Sequence, residues 1–161
     1  MMTLACSINI DHLPSTPQPY KLKATPEERK KIAERLNLLS IDQLEAQLSL
    51  QKEDHLLIAG TIIVAVIQEC VRTLVPFPQQ LVINVEEVIS LAPLDNQQDI
   101  DLKGEDLAEP LEGSLLDLGE MVIQLLSLHL DPYPVAPGSL PVEYKENNTH
   151  GSPFEALKKK E

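Results

Sequence analysis

Between Ser40 and Gln68 the chain carries two consecutive segments that only an extended backbone can satisfy. Leu44, Ala46, Leu48 and Leu50 alternate with Gln43, Glu45, Gln47 and Ser49, a period of two that turns one face of a strand to a core and the other to water. Lys52-Glu53-Asp54 reads as a turn. Residues 55–68 follow, rich in Ile and Val and apolar on both faces, as suits a long central strand covered by a helix on one side. The two segments are expected to pair as a hairpin. A third antiparallel strand is expected from Leu81, where Ile83, Val85, Ile89 and Leu91 share one side and Asn84, Glu86 and Ser90 the other. The Glu86-Glu87 pair leaves a helix open as an alternative there.

Shorter signals flank this framework. Ser7 to Ile10 and Tyr20 to Ala24 alternate like two short strands, while Pro14, Pro17 and Pro19 restrict residues 14–19 to a loop or an edge connection. Thr25-Pro26-Glu27-Glu28 starts a helix: Thr25 can cap it, Pro26 suits the first helical position, and Glu28 completes a capping box. That helix is predicted over 26–37, with Ile32, Ala33 and Leu36 as its apolar stripe. A second opens at Asp117, where Leu118, Met121, Val122, Leu125, Leu126 and His129 recur at helical spacing, and ends before Pro132.

At 161 residues the chain is the size of one ordinary domain. Residues 94–112 hold Asp95, Asp99, Asp101, Glu105, Asp106, Glu109 and Glu112 against Lys103 alone, too polar to order themselves, and read as a long mobile loop. Pro132, Pro134, Pro137 and Pro141 make the following stretch extended. The expected fold is α+β: a twisted antiparallel β-sheet, open or barrel-like, with two main helices, an acidic loop and an extended C-terminal tail. Residues 1–138 form the domain and residues 139–161 a flexible tail.

Charge narrows the partners. A net charge of −12 with pI near 4.7 repels phosphate backbones, and with aromatic residues at 3% there is little on which bases could stack. Arg29, Lys30 and Lys31, and the terminal Lys158 to Lys160, are the only basic groupings; the first is the candidate RNA contact. Two cysteines, Cys6 and Cys70, are too few for a disulfide framework. The run Leu56 to Ile67 is too short to span a bilayer. These features point to the cytoplasm, with no membrane and no small-molecule substrate.

Catalytic signatures are missing: no glycine-rich phosphate loop, no zinc helix and no nucleophile elbow can be drawn. Cys70 reads as a half-buried structural thiol in preference to a ligand or nucleophile, so neither a metal nor a cofactor is expected. His129 beside Asp131 could be an acid–base pair, but a histidine at a helix C-terminus is favoured by the helix dipole alone. Asp117 and Glu120 have the spacing of a capping box. Arg72 is either an edge charge or a group that reaches a partner's carboxylate. Only a cleft gathering His55, His129, Asp117 or Cys70 would argue for an enzyme.

Three segments, Gln68-Glu69-Cys70-Val71-Arg72-Thr73-Leu74-Val75-Pro76, Asp117-Leu118-Gly119-Glu120 and Leu128-His129-Leu130-Asp131-Pro132-Tyr133-Pro134, together resemble the YceD-like proteins, or large ribosomal RNA subunit accumulation proteins, in their alphaproteobacterial form. The likeness extends over about residues 20–138, and Ser152 to Leu157 resembles that group's ending. It implies a role in 23S ribosomal RNA accumulation and large-subunit assembly and supplies no established active site; a non-enzymatic factor is the expectation, with a direct rRNA-binding module or an acidic protein-binding adaptor unrelated to ribosomes as alternatives. An acidic surface then suits a basic ribosomal protein or a processing factor as partner, with rRNA reached indirectly, better than it suits RNA itself. Cys70, Arg72, Asp117, Asp131, Pro132 and Pro134 become candidate partner-binding positions. Many relatives carry a second cysteine three residues on, where this chain has Thr73, which removes the thiolate pair of any family zinc site.

Overall fold

The alternation that dominates the sequence becomes a hairpin of two long strands, β4 (Ser40–Lys52) and β5 (His55–Glu69), joined at Glu53-Asp54. Pairing runs from Ser40↔Ile67 to Lys52↔Leu56, with one irregularity between Ile41 and Gln43. A third long strand, β6 (Pro76–Ser90), continues the sheet on the other side of β5 without a register break. The computed structural model describes residues 2–91, the backbone of 109–110, and 114–141. Within these, β1 (Met2–Thr3), β3 (Gln18–Lys23) and β7 (Glu109–Pro110) complete a sheet of order β1-β3-β4-β5-β6-β7. A small second sheet pairs β2 (Ser7–Asn9) with β8 (Leu115–Asp117).

The sheet is open, not a barrel: β1 and β7 are its margins and do not pair with each other. Nor is it wholly antiparallel, because β1 runs parallel to β3 and β7 parallel to β6. Pro76 and Pro78, read as preceding a strand, lie inside β6. Each pairs with β5 on one side, and β7 touches β6 only at Ile89 and Ser90, so at the prolines the ladder needs no N–H on the other. Pro19 sits in β3 for the same reason, since β1 reaches only Leu22 and Lys23. Glu86-Glu87 stays in the strand, which closes the helical alternative. Of the expected acidic loop at 94–112, Glu109–Pro110 is strand and the rest lies outside the described residues, as do residues 142–161 of the expected flexible tail.

One face of the sheet carries the core. Leu44, Leu48, Leu50, Leu56, Ile58, Ile62, Val64 and Val66 are at most 2% exposed, and each such aliphatic side chain contributes about 1.5–3 kcal/mol by leaving water. Helix α1 (Pro26–Arg35) adds Ile32 and Ala33, and α2 (Leu118–His129) adds Leu118, Val122, Leu125 and Leu126 to the same cluster. The other face is partly open: Ile63, Ala65 and Ile67 are only half-buried, so the second apolar face of β5 is not matched by a second layer among the described residues.

Both helix starts follow from their caps. The Thr25 hydroxyl accepts the Glu28 N–H at 3.3 Å, and the Glu28 carboxylate accepts the Thr25 N–H at 2.8 Å. The same carboxylate accepts the N–H groups of Leu4 and Ala5, tying the N-terminal segment to α1. Burial pushes the Glu28 carboxyl up, but these donors and the Thr25 hydroxyl outweigh it and hold the group below its usual value. Helix α1 stops two residues short of the expected 37: Leu36 caps it and Asn37 takes the left-handed conformation at φ 56°, which asparagine tolerates well.

Candidate functional site at the β5–β6 turn

The end of β5 and the segment after α2 form one structure. Alternation along β5 sends Gln68 to the buried face and Glu69 outward. The chain then turns through residues 70–75, closed by Leu74 N–H to the Cys70 carbonyl (2.8 Å) and Cys70 N–H to the Val75 carbonyl (3.0 Å). Leu74 sits at φ 57° in this turn, an unusual place for a residue with a bulky side chain. Against it lies the proline-rich segment, read from sequence as an extended tail and here anchored at four points. Gln68 Nε2 donates to the Asp131 carbonyl (3.3 Å), and Val71 N–H to the Pro134 carbonyl (2.9 Å). Ala136 N–H donates to Cys70 Sγ (3.3 Å), and Arg72 Nη1 to the Ser139 carbonyl (3.3 Å). Asp131 shapes the start of the segment, its Oδ1 accepting the Tyr133 N–H at 2.9 Å.

Cys70 is more buried than its sequence context suggested, with 0% exposure. The Ala136 N–H, the Thr73 hydroxyl and the N–H groups of Thr73 and Arg72 converge on its sulfur and lower its pKa to about 6 against the effect of burial. The Cys70 sulfur is therefore a structural acceptor that latches the segment at Ala136 to the turn. Cys6 is also buried and free; burial, and then Asp117, push its thiol up. Among the described residues no group of three metal-ligating side chains forms.

A cavity of about 390 Å³ opens where these elements meet, lined by Leu36, Asn37 and Leu38 after α1, by Gln68, Glu69 and Val71, and by Ser127, Leu130, Asp131, Pro132 and Pro134. Gln68 is 6% exposed and its Oε1 has no hydrogen-bond partner among the described residues. Val71 of the cavity wall is 49% exposed, and Leu74, Val75 and Tyr133 of the adjoining turn and segment are 56–74% exposed. Of the candidate partner-binding positions, five therefore gather here: Cys70 and Arg72 as latches, Asp131, Pro132 and Pro134 as cavity wall.

Asp117 is placed elsewhere. It caps α2, its Oδ1 accepting the Glu120 N–H at 3.0 Å. The helix that separates it from Asp131 is 12 residues long, about 18 Å at 1.5 Å per residue. Glu120 does not close a capping box but forms a bidentate pair with Arg35 at 2.6 and 2.7 Å, which joins α2 to α1. Gly119 lies where a Cβ would come within 2.0 Å of the Leu4 carbonyl. The whole Asp-Leu-Gly-Glu motif is thus committed to docking α2.

The basic trio does not make one patch. The Arg29 guanidinium binds the Asp42 carbonyl; Arg29 and Lys30 border one groove with Ser40 to Asp42, and Lys31 another with Glu28, Arg35 and Glu120. His129 Nδ1 pairs with the Leu125 carbonyl at 2.8 Å, the helix-terminal arrangement expected. His55 begins β5, roughly 50 Å of strand from Cys70, so the fold does not bring these two together. Sequence reasoning passed over Gln68 as a site residue; a lone polar side chain on the apolar face of β5 was the available signal.

A family model described as large ribosomal RNA subunit accumulation protein YceD matches residues 58–159. The chain belongs to the YceD family. The match begins inside β5 and takes in the turn, α2 and the Asp-Pro-x-Pro segment, leaving Arg29 to Lys31 outside it. Membership assigns this YceD protein a role in the accumulation of large-subunit ribosomal RNA. No curated protein and no solved structure matches the chain. Among the described residues no helix is long and apolar enough to cross a membrane.

Proposed function

We propose that this YceD protein supports 23S ribosomal RNA accumulation without catalysing a reaction, by binding a basic protein of the large subunit or a processing factor through the β5–β6 turn and the segment it clamps. The observation that carries this reading is the turn platform itself. It is pinned by four hydrogen bonds, so its backbone is ordered before any partner arrives, and it displays exposed Val71, Leu74 and Tyr133 beside acidic Glu69 and Asp131. Exposed apolar groups set beside charged side chains, here Glu69, Asp131 and Arg72, mark a protein-recognition surface. The net charge of −12 makes a basic protein a better partner than a phosphate backbone.

The test combines depletion with a photo-crosslinking side chain at position 133. Depleted cells should lose 23S relative to 16S ribosomal RNA and regain it with the wild-type chain, and Tyr133 should crosslink to a basic protein. An unchanged ratio would refute the role in this cell, and a crosslink to RNA would favour direct rRNA binding instead.

A further inference from the structure

We infer that the outer edge of β6 between Gln80 and Glu86 takes an extended segment of a basic partner protein as an added strand, an inference that rests on the protein-binding reading above. β6 pairs with β5 along its whole length, from Pro76↔Glu69 to Ser90↔His55, but with β7 only at Ile89 and Ser90. No other strand lies beside it among the described residues. The prolines tell which backbone groups face outward. With no N–H to give β5, Pro76 and Pro78 hold ladder positions whose nitrogen is turned away from it. The period of two then turns the N–H and C=O groups of Gln80, Val82, Asn84 and Glu86 the same way. All four residues are exposed, and among the described residues none of these backbone groups bonds to a loop or helix. Pro76 and Pro78 deny an incoming strand its first donors and β7 occupies the far end, so the open stretch is bounded on both sides.

Such an edge is normally blocked, most often by lysine. β6 holds no lysine or arginine, only Glu86 and Glu87. As consecutive strand residues these carboxylates stand on opposite faces, and neither is in an ion pair among the described residues. Beside Glu87 a groove of about 210 Å³ runs between β6 and α2, lined also by Met121, Leu125 and Leu128, the last 78% exposed. An added strand satisfies the row of main-chain groups and sends alternate side chains to each face, an apolar one to the α2 groove and lysine or arginine to the two glutamates. Charge decides among the occupants. This chain's own residues 95–106 carry Asp95, Asp99, Asp101, Glu105 and Asp106 against Lys103, and a second copy brings a further −12; both set acid against acid. Nucleic acid adds the same repulsion, and its backbone offers no alternating donors and acceptors. The edge also starts where the turn ends, at Pro76, so a segment that crosses the turn continues along it.

The experiment uses the isotope-labelled full chain and a blocked peptide of alternating lysine and valine, with a glutamate–valine twin and a lysine–valine twin N-methylated throughout. In the free chain the amide hydrogens of Leu81, Ile83 and Val85 should exchange slowly and those of Gln80, Val82, Asn84 and Glu86 fast, because only the first set bonds to β5. The lysine peptide should slow the second set at least about tenfold, and neither twin should. Val82→Pro repeats what Pro76 and Pro78 already do, removing an outward donor and no bond to β5, and should abolish the protection of Asn84 and Glu86. The double variant Glu86→Lys/Glu87→Lys changes exposed side chains alone and should move the preference to the glutamate twin; it decides the question if Val82→Pro does not fold. Slow outward amides in the free chain, no protection by the lysine peptide, equal protection by the N-methylated twin, or a lysine preference that survives in the double variant would each overturn the added strand. Crosslinking at position 133 separates the two levels of inference. A basic protein captured equally by wild type and double variant removes the added strand and leaves the partner reading intact; an RNA crosslink removes both.

Discussion

Replacing Gly119 with alanine tests whether the Asp-Leu-Gly-Glu motif is a docking device or a partner contact. The new Cβ would stand 2.0 Å from the Leu4 carbonyl oxygen and 2.9 Å from its carbon. Both are backbone atoms, so no side-chain rotation relieves the clash; either α2 or the segment around Leu4 must shift. The Leu4 side chain is 3% exposed and Leu118 0%, so that shift disturbs packed core on both sides. Overpacking of this kind costs about 1–3 kcal/mol, and the gain from removing a helical glycine returns at most about 1 kcal/mol. The net loss should be about 2 kcal/mol, lowering the urea midpoint by about 1 M and the melting temperature by about 4–8 °C. In depleted cells the variant should rescue 23S ribosomal RNA in proportion to its abundance, and raised expression should restore full rescue. A variant as stable as the wild type would refute the packing argument. A stable variant that fails to rescue would place the motif at the partner surface instead.

Two further outcomes follow from the turn. The Cys70 pKa, held near 6, lies below that of an unfolded thiol, so its stabilising contribution is complete above about pH 8.5 and is lost as pH falls through 6. Relative to Cys70→Ala, the wild type should therefore gain stability from pH 6 to 9, and thiolate absorbance should titrate near pH 6; a thiol titrating near 8.5 would contradict the convergence of donors on its sulfur. Leu74→Gly should leave stability unchanged or raise it by up to about 1 kcal/mol, because the left-handed backbone at φ 57° costs leucine more than glycine and the freer unfolded chain offsets part of the gain. A large loss in urea unfolding would show that the exposed Leu74 side chain packs on something.

The long strands, both helices and the Thr25 cap were legible because each is written in local periodicity or capping chemistry. The Pro76-Phe77-Pro78 start of β6 was not, since whether proline fits a strand depends on which side is paired, a property of the sheet and not of the segment. The two-residue strands β1 and β7 and the small β2–β8 sheet were equally hidden: their pairings join positions far apart in the chain, and no local pattern announces them. Whether the sheet closes was left open for a related reason, because it turns on how the short margin strands β1 and β7 pair, and neither was foreseen.

The site shows the same division. Asp131, Pro132 and Pro134 were singled out, and the fold brings them to Cys70 and Arg72; what sequence could not supply was the reason. Proline carbonyls keep their acceptors while the ring removes the donor, so a proline-rich segment laid against a turn must be held by the turn's own N–H groups and side chains. Val71, Arg72 and Gln68 do this, and the Cys70 sulfur receives the one N–H that Ala136 can offer. Each latch uses a single donor or acceptor of its residue, and Gln68 has two ends. Holding the Asp131 carbonyl with its amide nitrogen leaves its oxygen facing no donor among the described residues. A leucine at 68 would bury as well and leave nothing unmatched, so what a glutamine adds at this position is the second anchor and the vacant acceptor together.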